Sequence, residues 1–101
     1  MAKKSSIIKN NNRKELSRLH KEKRQKVISI SKDESLPFEE RLIAQIKLSQ
    51  MPRNGSRIRH RNRCALSGRP RGNLRKFGLS RIAVRELASW GQIPGLIKSS
   101  W

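Results

Sequence analysis

Between Glu40 and Glu86 the chain carries no acidic residue and thirteen basic ones, eleven of them Arg. A segment of one sign repels itself when it packs, so it becomes compact only against something that neutralises it. The rest of the sequence does not supply that partner. The 101 residues hold 25 Lys and Arg against 7 Asp and Glu, a net charge of +18, and six of the seven acids fall in the first forty residues. Leu, Ile, Val and Phe together number 24, close to the level at which a chain stays disordered. A chain of this length makes one domain at most, and one this small buries too little surface for a wide margin of stability. A polyphosphate is the best-matched neutraliser, because each phosphate contact also releases a condensed counterion. Arg dominates the acid-free segment, and its planar fork suits bidentate phosphate contact and stacking on bases. Lys dominates the first third, as in a solvated arm that tracks phosphate loosely.

Other classes of function fit poorly. No run of 18 apolar residues is present to span a bilayer. The opening stretch has no apolar run of signal-peptide length. A cationic membrane-active peptide would need a broader apolar helix face than any here. The single Cys64 permits no internal disulfide and suits a reducing compartment. His20 lies among lysines and His60 among arginines, neither with an acid to orient it, and Cys64 has no evident base to activate it. No Gly-rich phosphate cradle and no magnesium-binding acidic cluster stands out. The expectation is a non-enzyme with no cofactor, no membrane and no small-molecule substrate. The rival reading is a free basic protein that compacts DNA or RNA, which composition alone leaves open.

Along the chain, residues 1–12 are polar, Asn-rich and expected to be an extended arm. Leu16, Leu19, Val27 and Ile30 share a stripe that predicts a helix from Arg13 to about Ile30. Asp33, Glu34 and Ser35 break it. Pro37 in a first turn, Glu39 and Glu40 behind it, and Phe38, Leu42, Ile43 and Ile46 at helical spacing predict a second helix that runs to Gln50 and stops at Pro52. Arg53–Ser56 reads as a turn. Arg57, Arg59, Arg61 and Arg63 then alternate, which in an extended chain places four guanidinium groups on one face about 6–7 Å apart, near the spacing of successive phosphates. Residues 64–79 are rich in turns. Ser80 is an N-cap for a helix to about Trp90, Gly91 ends it, and Pro94 follows. Ile82, Val84, Leu87, Ala88 and Trp90 are expected to form a small core with Leu74, Phe77 and Leu79. The tail Lys98–Trp101 closes on an exposed aromatic suited to stacking on a base or packing on a neighbour. Three parts result: a basic arm and helix over 1–35, a linking helix over 36–52, and an Arg-rich module over 53–101 suited to nucleic acid. The fold class is mainly α and irregular, with extended basic arms and a C-terminal helix and tail.

One spacing is more specific. Cys64-Ala65-Leu66-Ser67, twelve residues, then Ser80-Arg81-Ile82-Ala83 repeats the spacing of a zinc ribbon. Ser is a poor zinc ligand and Ala has no donor, so no metal is expected. Around it stand Met51-Pro52-Arg53-Asn54-Gly55-Ser56, Arg61-Asn62-Arg63-Cys64, Gly68-Arg69-Pro70-Arg71-Gly72, Arg75-Lys76-Phe77-Gly78-Leu79-Ser80-Arg81, Arg85-Glu86-Leu87-Ala88, Ile93-Pro94-Gly95 and Lys98-Ser99-Ser100-Trp101. Together these resemble the ribosomal protein S-fourteen family of the small subunit, in its long, zinc-independent form. The resemblance is dense from Met51 to Trp101 and looser before. It implies that Cys64, Ser67, Ser80 and Ala83 are relict ligand positions in a degenerate ribbon, with Cys64 a relic or an RNA-side residue and not a nucleophile. It also implies small-subunit ribosomal RNA as partner, in the head (the 3′ major domain), with proteins S-three, S-ten and S-nineteen as neighbours. A ribosome of a bacterial cytoplasm or a mitochondrial matrix would be its location. The residues expected on RNA are Arg53, Arg57, Arg59, Arg61, Asn62, Arg63, Arg69, Arg71, Arg75, Lys76, Arg81, Arg85, Lys98 and Trp101. Most should contact phosphate, with folded RNA recognised by shape.

Overall fold

The structure, a computed structural model, describes residues 2–100. Among them the chain is mainly helical and irregular. The elements are α1 (Lys4–Leu19), α2 (Lys21–Lys32), α3 (Phe38–Gln50), two single 3-10 turns (Arg53–Gly55 and Arg57–Arg59), β1 (Asn73–Leu74), β2 (Leu79–Ser80) and α4 (Arg81–Ser89). They fall into two compact units. One is Lys9–His60; the other joins the residues up to Ile8 with those from Arg61 onward. No described helix is long and apolar enough to cross a membrane.

The first unit is built on α2 against α3. Ala44 is the buried residue of α3, with Leu48 half-buried beside it, and α2 contributes half-buried Val27 and Ile28. The link between the helices is a short polar turn. Asp33 accepts from both the amide (3.1 Å) and the hydroxyl (2.7 Å) of Ser35, the usual way an Asp replaces helical hydrogen bonds. Those two bonds also hold its carboxyl below the usual carboxylate range. Pro37 stands at the N-cap of α3 and sets the entry angle, and Glu39 and Glu40 in the first turn complement the helix dipole. After α3, the Arg24 guanidinium donates to the Pro52 carbonyl at 2.6 Å. The His20 ring packs where a Cβ on Gly55 would come within 3.3 Å of it, so His20 is a half-buried packing residue.

The helix expected over 13–30 and the extended arm expected over 1–12 are both revised. Helix begins at Lys4, runs through Asn10, Asn11 and Asn12, and is interrupted at His20. Asn is a weak helix former, but intrinsic propensity yields to packing. Here Asn10 is buried and Ile7, in the first turn of α1, packs closely on Gly68.

In the second unit β1 and β2 pair antiparallel, Asn73 opposite Ser80 and Leu74 opposite Leu79. The connection closes through the Gly78 amide, which donates to Leu74 at 2.9 Å with Gly78 at φ +65°. The chain passes directly from β2 into α4. The helix ends as predicted: Gly91 at φ +68° donates to Ala88 and Gln92 donates to Leu87, the paired bonds of a Schellman stop. The core differs from expectation. Cys64, Ser80, Ala83 and Val84 are buried, whereas Ile82, Trp90 and Leu74 are exposed and Leu87, Ala88, Phe77 and Leu79 are half-buried. The cap at Ser80 fixes the phase of α4, so the inward stripe is Ala83, Val84, Leu87 and Ala88. Ile82 falls outside that stripe, and Trp90 is already the C-cap.

Candidate nucleic-acid interface

The second unit is organised by backbone hydrogen bonds that gather a loop rich in Arg. Cys64 donates to the Arg69 carbonyl at 3.0 Å and Gly68 donates back to the Cys64 carbonyl at 2.9 Å, which closes a tight turn over 64–69. Ala65 donates to Gly78 and Arg81 donates to Gly72 at 2.8 Å, tying that turn to the hairpin and the start of α4. Gly68 is at φ +71°, and a Cβ there would lie 2.6 Å from Ile7 Cδ1. Glycine is required on both counts.

The four positions with ribbon spacing do converge. The Cys64 side chain is only 3% exposed. Burial pushes its thiol up, but hydrogen bonds from the Ser67 hydroxyl and amide and from the Ser80 and Leu66 amides outweigh it and bring it down to about 6. Ser80 Oγ in turn accepts the Ala83 amide at 3.2 Å and caps α4. Hydrogen bonds thus link all four positions. As a donor set for zinc, one thiolate, two hydroxyls and a methyl do not fit. Among the described residues no group of three or more His, Cys, Asp or Glu is placed to hold a metal. Cys64 is shut inside the turn, so the expectation that it could face RNA is revised.

Asn73 was not among the expected site residues, yet it fixes the loop. Its side-chain amide donates to Asn62 at 3.0 Å and to Arg69 at 2.8 Å. An isolated polar residue in a turn carries no sequence signal of such a clamp; only the return of the hairpin beside 62–69 reveals it.

The basic side chains divide into two groups. Arg63 is half-buried and donates to the Gly68 carbonyl at 3.0 Å. Arg61 reaches the Pro70 carbonyl at 2.7 Å, half-buried Arg69 reaches Arg71 at 3.1 Å, and Arg59 reaches Asn54 Oδ1 at 2.9 Å. These partly hold the fold. The side chains of Arg53, Arg57, Arg71, Arg75, Arg81 and Arg85 are exposed and make no hydrogen bond or ion pair among the described residues. Arg75 and Lys76 form the hairpin tip, where the Lys76 ammonium sits 5.9 Å from the Phe77 ring centre. Arg81 and Arg85, one turn apart, share a face of α4. The first turn of α4 carries Arg81 and no acid, the reverse of what its own dipole favours, so an external anion would relieve it. Exposed Asn62 flanks the clamp, and Lys98 donates to Ser89 Oγ at 3.3 Å, which draws the tail to the end of α4. Trp101 lies outside the described residues.

The expected row of four guanidinium groups is not formed. Arg57–Arg59 is a 3-10 turn, in which residues two apart point about 120° from each other. Arg63 points inward to Gly68. Cations suited to phosphate are instead displayed on the hairpin tip and on α4.

The sequence carries a second mark of origin. Residues 47–100 match the model of a family described as ribosomal protein S14p/S29e. The chain belongs to this family. Three proteins named small ribosomal subunit protein uS14 match over all of this chain and all of their own length. They come from Gluconobacter oxydans (59% identical), Bradyrhizobium diazoefficiens (58%) and Methylorubrum populi (56%). The matched segment spans the hairpin, α4 and the free arginines. Members of the S14p/S29e family are ribosomal proteins and not enzymes.

Proposed function

We propose that the chain is a structural constituent of the small ribosomal subunit and binds its ribosomal RNA in the head, through the 3′ major domain, supporting assembly and translation. The observation that carries this reading is the set of exposed guanidinium groups of Arg71, Arg75, Arg81 and Arg85, without a partner among the described residues, on a tightly bonded turn–hairpin–helix in a chain of a ribosomal family. Rigid display of cations favours a folded RNA whose phosphates stand at fixed positions, since contacts of this kind give register while RNA shape gives specificity. Within the module over 53–101 the residues from Arg61 onward supply these contacts, the basic helices over 1–35 and the linking helix over 36–52 lead into it, and the relict ribbon positions form its metal-free centre. Proteins S-three, S-ten and S-nineteen are its neighbours. Its place is a ribosome of the bacterial cytoplasm or the mitochondrial matrix.

Sedimentation tests the reading. The tagged chain should travel with small subunits through a high-salt gradient, and protein assembled this way should carry no stoichiometric zinc. Sedimentation with bulk DNA, or release from subunits at moderate salt, would instead mark a free compacting protein.

A further inference from the structure

The first 3-10 turn after α3 carries a reactive pair that the proposed RNA contacts do not include. Of the six Asn in the chain, only Asn54 is followed by Gly. The backbone nitrogen of a following residue attacks an Asn side-chain carbon most readily where that residue has no Cβ to crowd the approach. Asn54 is exposed, so water reaches its side chain. Its sequence neighbours Arg53, Arg57 and Arg59 belong to the segment without an acid. Positive charge favours both a deprotonated amide nitrogen and the oxyanion that forms on attack.

The fold holds the reacting atoms apart. Asn54 Oδ1 accepts from the Arg59 guanidinium at 2.9 Å, and the Gly55 amide donates to the Pro52 carbonyl at 3.0 Å. Both residues lie in the 3-10 turn Arg53–Gly55. Closing a five-membered ring eclipses the Asn Cβ with the following nitrogen about the Cα–C bond, whereas a 3-10 residue keeps them roughly a quarter-turn apart. Gly55 is buried, and a Cβ there would come within 3.3 Å of the His20 ring, so the turn has little room to twist toward closure.

We infer that Asn54–Gly55 is a self-modification site, shut in the folded chain and open in the unfolded one. In the unfolded chain the Gly55 nitrogen loses its proton to water and bonds to Asn54 Cγ. The Cγ–nitrogen bond of the side chain breaks, ammonia leaves and a succinimide remains. Water then opens the ring, with no exchange of electrons. Opening at Cγ gives an aspartyl residue in the ordinary backbone; opening at the main-chain carbonyl gives an isoaspartyl one, with an extra methylene in the backbone. Either product puts a carboxylate where the sequence from Glu40 to Glu86 has none. The lengthened backbone does not fit the turn packed on His20, so the isoaspartyl chain does not re-form it. Time spent unfolded is thereby recorded in the chain, whatever its partner.

The test ages the full chain at mildly alkaline pH in denaturing urea and, in parallel, in native buffer with small-subunit ribosomal RNA, where circular dichroism reports the helices formed. Peptide mass spectrometry follows the conversion of each Asn, and an isoaspartyl methyltransferase detects the isoaspartyl product. In urea Asn54 should convert ahead of the other five Asn, with isoaspartate among the products, and Gly55→Ala should bring it down to their rate. In the folded chain its conversion should be at least about tenfold slower, because two hydrogen bonds must open first. No lead for Asn54 in urea, a lead that survives Gly55→Ala, or an aspartyl product alone would overturn the succinimide route. Equal rates in the folded and unfolded chain would overturn its control by the fold. A second folded sample uses trimethylamine N-oxide, which favours burial without RNA, so failure of RNA to bind is read apart from failure of the site.

Discussion

The side-chain amide of Asn73 donates to the backbone carbonyl of Arg69 at 2.8 Å, and the same nitrogen holds Asn62 at 3.0 Å. One uncharged residue thereby sets the path of the loop that carries Arg61, Arg63, Arg69 and Arg71. Replacing Asn73 by Ala removes two hydrogen bonds at about 1 kcal/mol each, so RNA affinity should fall roughly ten- to thirtyfold. No cation is lost, so the dependence of affinity on salt should keep its slope. A slope that flattened would show that Asn73 acts by something other than placing the loop.

Removing exposed cations should do the opposite. Arg71, Arg75 and Arg81 hold no partner within the described chain. Their joint replacement by Ala should lower the magnitude of the salt slope by roughly 0.7–0.9 per phosphate contact, about two units in all. Exposed Lys21, Lys23 and Lys26 on α2 should give a smaller change, since Glu15 and Glu22 partly offset them. Titrations of ribosomal RNA across a salt series compare the two sets. Equal loss from both would mean that net charge, and not the displayed arginines, does the binding.

Gly68 and Gly78 both stand at positive φ but should respond differently to Ala. At Gly68 the new Cβ would meet Ile7 Cδ1 at 2.6 Å, whereas nothing lies within 4 Å at Gly78. The backbone cost of about 1–2 kcal/mol applies to both. Only Gly68→Ala must also displace the first turn of α1. Hydrogen exchange in the RNA-bound protein should show that turn deprotected in Gly68→Ala and protected in Gly78→Ala.

Cys64 should titrate near 6, far below its ordinary value of 9.0, and Ser67→Ala should raise it. The sign follows from linkage. The pKa is depressed on folding, so the thiolate contributes stability in full above about 9, loses it as the pH falls from 9 toward 6, and contributes none below. Thiolate absorbance in the folded, RNA-bound protein measures the titration. A value near 9 would mean that the hydrogen bonds do not hold a thiolate.

Much of the local structure was legible because it depends on neighbours in sequence. Ser80 caps α4, Gly91 stops it, and Pro37 with Glu39 and Glu40 opens α3, each through short-range backbone chemistry. Where packing decided, sequence periodicity misled. The Asn-rich start is helix, with Ile7 of its first turn packed on Gly68, and Arg57 and Arg59 lie in a 3-10 turn instead of an extended strand. Ile82 and Trp90, two of the largest apolar residues near α4, stayed outside a core made of small ones.

Composition sets the sign of charge that a partner must supply and leaves a donor set at the ribbon positions that does not fit zinc, because +18 charge and a lone Cys64 hold at any folded geometry. Only the tertiary structure decided which cations are free for that partner. An Arg bonded to a loop carbonyl, such as Arg63 to Gly68, and an Arg facing solvent, such as Arg85, are the same residue type in the sequence. Their difference arises when residues distant in the chain close on one another, and no pattern along the chain records which carbonyl will be there.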